Sequence, residues 1–151
     1  MADAKYPFVP KSTAKLSVGD FWPVPLFDGS YASGIVLQKA PRGTAGERVS
    51  FCGGLLDWHG RSPPGPSDLA NCPLLAQGYM HILAITSFGS VLGNLDHAPA
   101  PHLWHDGGRN ILRGYDVVRR WSPTDRGKVP ALEYWGWDII QEKAEKLLLN
   151  R

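Results

Sequence analysis

The side chains in this sequence that could hold a metal ion are concentrated between residues 96 and 106. His97, His102 and His105 lie there with Asp96 and Asp106. A zinc site needs three or four such ligands converging at about 2 Å. The spacing matches no strong metal-binding signature, and two prolines stiffen the chain between the histidines. We therefore expect a polar surface loop with no metal and no other cofactor, and keep the three histidines as the alternative ligand set.

Nucleophilic catalysis has no recognisable motif in this chain. The sequence lacks a G-x-S-x-G elbow, a phosphate-binding glycine loop and an H-E-x-x-H zinc motif. Cys52 lies inside an apolar run, which favours inert packing. With no apolar export signal at the N-terminus, we expect Cys52 and Cys72 to be free thiols rather than a disulfide. No catalytic residue is predicted, although a Cys–His or Ser–His pair formed by distant segments stays open.

Arginine and tryptophan, which are enriched at interface hot spots, recur outside the apolar runs. Trp58 and Arg61 follow a predicted strand, and Trp104 and Arg109 lie in the histidine-bearing loop. We predict that these four residues form a partner-binding surface. Two alternatives stay open: the tryptophans fill the core while the arginines solvate loops, or both stack on single-stranded RNA.

Residues 15–37 predict a β-hairpin around which the rest of the chain is organised. Two apolar runs flank an Asp-Gly turn. A two-residue turn would put both prolines of the first run at ladder positions, where they have no N–H to donate. A three-residue loop at 27–29, with its glycine in the left-handed region, turns those prolines to the outer edge and pairs Trp22 with Gly34. Apolar side chains point to both faces, so we expect burial on both sides.

Three more apolar segments are typical of strands. They are residues 49–58, 78–88 and 111–121. The pair Gly53-Gly54 predicts a bulge or a sharp bend in the first segment. The second is a near-continuous apolar run and is the best candidate for a central strand buried on both faces. Residues 89–95 then predict a turn into a short partner strand.

The C-terminus predicts a helix. Asp138 is its expected N-cap, with Gln141 at the third helical position in an arrangement close to a capping box. The apolar stripe of this helix comprises Ile140, Ala144, Leu147 and Leu148. Strands first and a terminal helix indicate an α+β, mainly β fold: an antiparallel, barrel-like sheet opened by the 15–37 hairpin, with a C-terminal helix.

Length and composition limit the class of protein. The chain has 151 residues, 43% of them hydrophobic and 20% charged. These values fit a single domain, 1–151, with residues 1–12 as an N-terminal arm whose Tyr6, Phe8 and Val9 pack on the body. A net charge of +2 is too small to indicate nucleic-acid binding, and no run approaches the ~18 apolar residues of a membrane span. We expect a cytoplasmic protein.

The hairpin also carries a resemblance to a known family. The pattern Gly19-Asp20-Phe21-x-x-x-Pro25-Leu26-x-Asp28-Gly29-x-Tyr31-x-x-Gly34-x-Val36 resembles the opening of the immunity protein 26 family of bacterial polymorphic toxin systems. A second stretch, running from His81-Ile-Leu-Ala-Ile through Gly89 to Val91-Leu-Gly-Asn94, is similar to the following strand and I-x-G-N turn of that family.

The resemblance covers about residues 15–37 and 78–95. It implies a cytoplasmic, mostly β protein without enzymatic activity, which binds and neutralises a cognate protein toxin. The chain departs from the shorter members of the family in its long Pro/Gly loops and its tryptophan-rich C-terminal third. The resemblance therefore implies a class of partner but no partner surface.

Two other functions stay open. Gly-Asp-Phe-Trp at 19–22 is similar to the start of small-barrel endoribonuclease toxins, in which case Arg42 or Arg48 would bind phosphate and His59 would act as general base. The proline-rich R-P-V-L strand expected after the hairpin in those toxins is missing here. The third function is a small β-barrel module that binds a peptide or another ligand, and it predicts a concave aromatic pocket.

Overall fold

The computed structural model describes residues 6–150 of the chain. Its strands are β1 Asp20–Pro25, β2 Tyr31–Lys39, β3 Ser50–Leu56, β4 Leu74–His81, β5 Gly93–Asn94, β6 Leu103–His105, β7 Asn110–Arg113, β8 Asp116–Arg120 and β9 Tyr134–Trp135. Its α-helices are α1 Pro66–Leu69, α2 Leu83–Thr86 and α3 Ile139–Ala144. Helix α3 continues into a π-helical segment, Glu145–Leu149, and short 3₁₀ segments lie at Thr13–Lys15 and Pro123–Asp125.

The strands form two sheets. The first sheet has the order β5-β1-β2-β3-β4-β9, and the second sheet has the order β6-β7-β8. Every strand pair is antiparallel except β4–β9, which is parallel. The expected α+β, mainly β class is confirmed, but the expected barrel-like closure is wrong. The first sheet is open because its two edge strands have only two residues each, which leaves little edge to pair.

The hairpin formed by β1 and β2 has the predicted register. Trp22 lies opposite Gly34. The Leu26 amide donates to the Ser30 carbonyl at 2.9 Å, which leaves a three-residue loop at 27–29. The glycine of that loop has φ +85°, a conformation that side chains with a Cβ rarely adopt. The left-handed loop glycine and the pairing of Trp22 with Gly34 are therefore both as the sequence predicts.

The two prolines of β1 face the outer edge of the hairpin. Along that edge β1 pairs with β5 only at Asp20 and Phe21. Farther along, Pro23 and Pro25 have no N–H to offer a further strand. The carbonyl of Pro25 instead accepts from the side-chain amide of Gln141 at 2.7 Å, which ties α3 to this edge.

The first sheet is buried on both faces. Trp22, Val36 and Phe51 belong to a core on one face, which the segment around α2 and helix α3 cover. Ile35 and Cys52 belong to a core on the other face, which α1 and the second sheet cover. Alternation along each strand thus divides the apolar side chains between two cores, as expected for a sheet with both faces covered.

Backbone hydrogen bonds and aromatic contacts hold the N-terminal segment against the first sheet. Phe8 exchanges two backbone hydrogen bonds with Val91, at 3.0 and 2.8 Å, and the Tyr6 hydroxyl donates to Asp20 at 2.7 Å. Tyr6 and Phe8 pack against the first core as predicted, whereas Val9 is 61% exposed, so its predicted packing is wrong. Residues 1–5 of the predicted arm lie outside the described residues.

The predicted central strand at 78–88 is only partly correct. Strand β4 starts earlier, at Leu74, and ends at His81, after which the apolar run turns into α2. The imidazole Nδ1 of His81 accepts from the Leu83 amide at 3.0 Å and marks the turn. An apolar run of this length does not distinguish a buried strand from a buried helix, so the pattern alone misses the change.

The predicted bulge at Gly53-Gly54 is wrong. Strand β3 continues through both glycines, and the register shifts fall elsewhere, between Val36 and Gln38 on β2 and at the end of β3. A Cβ on Gly53 would lie 2.8 Å from the sulfur of Met80. The glycines therefore make room for neighbouring side chains that cross the strand.

Two further predictions are corrected near the C-terminus. The segment predicted as one strand at 111–121 is a hairpin, β7 and β8, which turns at Gly114 with φ +63°. The terminal helix is present, with Ile140 and Ala144 buried. Asp138 makes no side-chain capping bond, and the Gln141 amide bonds to the hairpin. The predicted capping box is therefore wrong.

Candidate functional site

The three candidate metal ligands do not meet. Within residues 6–150, no three His, Cys, Asp or Glu side chains come together in a way that could hold a metal ion. His105 Nδ1 instead accepts from the Gly107 and Gly108 amides, at 3.1 and 3.2 Å. The backbone of His102 bonds to the side chain of Gln77. These interactions hold the shape of the loop.

A Ser–His contact exists, but its arrangement is not that of a catalytic triad. His59 Nε2 lies 2.6 Å from Ser30 Oγ, and the Ser30 hydroxyl also bonds to Asp28. In a triad the carboxylate orients the histidine, whereas here it contacts the serine. Ser30 is fully buried. Hydrogen bonds from Ser30 lower the pKa of Asp28, with smaller contributions from the charges of Arg61 and His59. The hydrogen bonds among Asp28, Ser30 and His59 therefore stabilise the hairpin loop.

The proposed ribonuclease residues lie at opposite ends of the first sheet. His59 is next to Gly60, which pairs with Tyr31 at the start of β2. Arg42 and Arg48 border a cleft at the other end, beside Lys39. The nine residues of β2 span roughly 26 Å at about 3.3 Å per residue. A general base and a phosphate-binding arginine from these positions therefore cannot act on one phosphodiester.

The cysteines are free thiols, as predicted. Cys52 is buried in the second core, and its burial raises the pKa of the thiol to about 12. Cys72 is partly buried, and its Sγ lies 3.5 Å from the Asp68 carbonyl. Burial and the nearby carboxylates of Asp57 and Asp68 also raise its pKa. Neither thiol is in the electropositive setting that activates a nucleophilic cysteine.

One of the four predicted partner-binding residues, Trp104, is buried. Arg61 and Arg109 are exposed, and Trp58 is partly buried against the second core. Trp104 is only 2% exposed, and its indole N–H donates to the Gly114 carbonyl at 3.1 Å. The expectation that Trp104 is exposed in a loop is therefore wrong. Trp104 lies on β6, where burying its large apolar ring is more favourable than leaving the ring in water.

The second sheet presents the most exposed strand surface among the described residues. All five residues of β8 are exposed, including Val117 at 60% and Val118 at 53%. Within residues 6–150, β8 has only β7 as a neighbour in its sheet, whereas β6 is flanked on its other side through a bridge between His105 and Ala131. One edge of this sheet is therefore open to an added strand.

Positive charge is concentrated in the same region. Residues 103–128 contain six Lys or Arg and three Asp or Glu, a net charge of +3, whereas the whole chain carries +2. Arg119 pairs with Asp125 through two hydrogen bonds of 2.8 Å, and these bonds lower the pKa of the Asp125 carboxyl. Arg109, Arg120 and Arg126 are exposed. The region thus combines a free edge with a basic surface.

A second concave feature lies between the two sheets. We call it the aromatic groove: a cavity of about 580 Å³ lined by Tyr79, Tyr115, Tyr134 and Trp135, with His81 and Ser50 at its border. The ring centroid of Tyr79 lies 4.6 Å from that of Tyr115 and 5.4 Å from that of Tyr134. The volume is in the range of small-ligand sites.

Buried contacts hold the rings of the groove in place. The Tyr79 ring packs at a tilt of 60° against Trp104, with ring centroids 4.8 Å apart, and its hydroxyl donates to the Gly114 carbonyl at 2.7 Å. Burial raises the pKa of Tyr79 to about 12. The Tyr115 amide donates to the side chain of Gln38 at 2.7 Å. Trp104 thus contributes to a candidate site from beneath, although it does not reach the surface.

The sequence carries no local signal for this groove. Its three tyrosines come from β4, from the turn between β7 and β8, and from β9. Only the pairing of β4 with β9 and the docking of the two sheets bring them together. No helix within the described residues is long and apolar enough to cross a membrane.

Comparison with known proteins does not assign the chain to a family. No protein-family model matches it, and neither the curated proteins nor the solved structures give a match.

Proposed function

We propose that this chain is a non-enzymatic immunity-type protein of the cytoplasm, which binds and neutralises a cognate bacterial toxin. The observation that carries the proposal is the fully exposed edge strand β8 of the second sheet, which lies within a stretch, residues 103–128, of net charge +3. Protein partners recognise such edges by adding a strand, and charge complementarity then selects among them. An acidic face on the toxin fits this surface.

The chemistry of the chain agrees with a binding role. The candidate general base His59 and the candidate phosphate ligands Arg42 and Arg48 lie at opposite ends of β2. The serine beside His59 is fully buried. The hairpin motif that resembles immunity protein 26 is part of the first sheet, and the proposed contact surface lies on the second sheet.

The test is co-expression with the product of the neighbouring open reading frame, which the proposal expects to be toxic. We expect the chain to restore growth and to form a one-to-one complex, measured by size-exclusion chromatography with light scattering. The double variant Arg109→Glu/Arg120→Glu should weaken the complex by about tenfold or more, which is about 1.4 kcal/mol. The matched control is Lys11→Glu/Lys146→Glu, with the same charge change at exposed positions outside the second sheet.

Other outcomes would refute parts of the proposal. Equal weakening by the two double variants would show that net charge matters and that the second sheet is not the contact surface. Growth inhibition that the chain does not relieve would contradict toxin neutralisation. RNA cleavage by the purified chain, lost in His59→Ala, would establish the ribonuclease instead.

A further inference from the structure

Two adjoining clefts lie where strand β2 ends. Both are lined in part by the segment that precedes β1, and they share Ser12 and Ala14. Their volumes are about 460 and 240 Å³. We call the two together the basic cleft, because five cationic side chains line them: Lys11, Lys15, Lys39, Arg42 and Arg48.

The lining of the basic cleft is more positive than the chain as a whole. Its five cations are accompanied by one carboxylate, that of Glu47, which gives a net charge of +4, whereas the whole chain carries +2. Within residues 6–150 the salt bridges are those of Arg119 and Lys143, so none of the five cations forms one there. Like charges held near each other repel, and an anion bound between them relieves that repulsion.

Hydrogen bonds hold the two walls of the basic cleft together. The Thr13 amide donates to the Arg48 carbonyl at 2.7 Å. The Lys39 ammonium lies 3.5 Å from the Ala14 carbonyl. These contacts join the loop after β2 to the segment before β1. The cations are therefore carried by a backbone that is already in place, which lowers the entropic cost of binding a ligand.

The side chains of the basic cleft offer a ligand more donors than acceptors. Lysine and arginine side chains donate and cannot accept. Ser12 Oγ accepts from the Ala14 amide at 3.2 Å, so its hydroxyl proton remains for a ligand. The Glu47 carboxylate already accepts from the Gly43 amide at 3.1 Å. A ligand with several negative charges and many acceptor oxygens matches this lining.

Phosphate groups have these properties in the most compact form. A terminal phosphate carries a charge of about −1.5 to −2 near neutral pH and presents three acceptor oxygens, whereas a carboxylate carries a single charge. Arginine also pairs with phosphate through two parallel hydrogen bonds. The volume of the larger cleft is in the range of small-ligand sites. We propose that the basic cleft binds a small ligand with two or more phosphate groups.

The proposed ligand site is independent of the proposed toxin contact, because none of the residues that line the basic cleft belongs to the second sheet. Either can fail without the other. Among the described residues that line the cleft there is no histidine, and His59 is next to Gly60, which pairs with the start of β2. The proposal is therefore one of binding and not of RNA cleavage.

The test is isothermal titration calorimetry with inorganic tripolyphosphate at about 0.1 M salt, where charges more than about 10 Å apart are largely screened. We expect saturable binding. The double variant Arg42→Ala/Arg48→Ala should weaken it by about tenfold or more. The matched control is Arg109→Ala/Arg120→Ala, which removes two exposed arginines outside the basic cleft and should bind almost as the wild type does. Circular dichroism checks that each variant is folded.

A variant with the opposite change of charge tests the sign of the effect. Glu47→Gln removes the one negative charge of the lining and keeps a side-chain oxygen that can accept from the Gly43 amide. Tripolyphosphate should therefore bind more tightly to Glu47→Gln than to the wild type. Unchanged or weaker binding overturns the inference.

Comparison ligands decide between phosphate and other polyanions. They are citrate, a single-stranded uridine decanucleotide and vesicles that contain a phosphorylated inositol lipid. Absence of saturable tripolyphosphate binding up to about 1 mM, equal losses in the two double variants, or equally tight binding of citrate overturns the inference. Tighter binding of the decanucleotide or the vesicles also overturns it, because the phosphates would then belong to a nucleic acid or a membrane.

Discussion

The close packing of Trp22 on Gly34 predicts a measurable loss of stability in Gly34→Ala. Trp22 is fully buried, and a Cβ on Gly34 would lie 2.8 Å from Cη2 of the indole and still closer to Cε2 and Cζ2. The ring also packs edge-on against Phe51, with centroids 5.7 Å apart. Since the indole has a neighbour behind it, it cannot move aside freely, and one added methyl must displace the ring or the strand.

The expected magnitude combines two opposing effects. Overpacking a core costs about 1–3 kcal/mol, whereas replacing glycine with alanine gains about 0.4–1 kcal/mol by restricting the unfolded chain. The net loss in the free energy of unfolding should be about 1.5 kcal/mol. For a domain of this size the melting temperature should then fall by roughly 3–6 °C.

The assay is urea unfolding followed by circular dichroism, with Gly136→Ala as the matched control. A Cβ on Gly136 would lie 3.8 Å from its nearest neighbour, so this variant should stay within about 0.5 kcal/mol of the wild type. In a Trp22→Leu background the cost of Gly34→Ala should largely disappear. An unchanged cost in that background, or no cost in the wild type, would refute the packing argument.

Two further predictions concern the titratable groups. The bonds from Arg119 lower the pKa of Asp125 in the folded state, so this pair stabilises the fold above the ordinary Asp pKa and loses its contribution as the pH falls below that value. The difference in melting temperature between wild type and Asp125→Asn should therefore be largest near neutral pH and shrink toward pH ~3; a difference that is constant with pH would contradict this. Because Cys52 is buried with a pKa of about 12, a thiol reagent at pH ~8 should modify no thiol but Cys72 in the native protein and both thiols after denaturation. Rapid native modification of Cys52 would show that the second core opens.

The sequence predicts the first hairpin well because its constraints are local. A loop glycine, two prolines without N–H groups and a tryptophan opposite Gly34 leave one register that satisfies all of them. The terminal helix is also predictable, since its apolar stripe has the helical period. Its capping is not, because Gln141 bonds to a carbonyl of β1 that lies far away in the sequence.

The rest of the fold depends on contacts that no local pattern encodes. The run after His81 becomes helix α2 rather than strand because tertiary packing decides between two structures that the same apolar residues permit. Trp104 looks like a surface anchor in the sequence, but docking of the second sheet buries it beneath Tyr79. The aromatic groove exists only once the two sheets have met, so neither its residues nor its chemistry could be predicted.

Strands β2 and β3 lie in the middle of the first sheet, and this position determines which parts of the fold unfold locally. Both strands have neighbours on each side and are almost entirely buried. Their amides should exchange with deuterium only on global unfolding, whereas β8, exposed along its whole length, should exchange through smaller local openings. The proposed contact surface is then the part of the fold that opens at the lowest free energy. In the proposed complex, residues 116–120 would therefore adjust to an added strand while the first sheet stays folded.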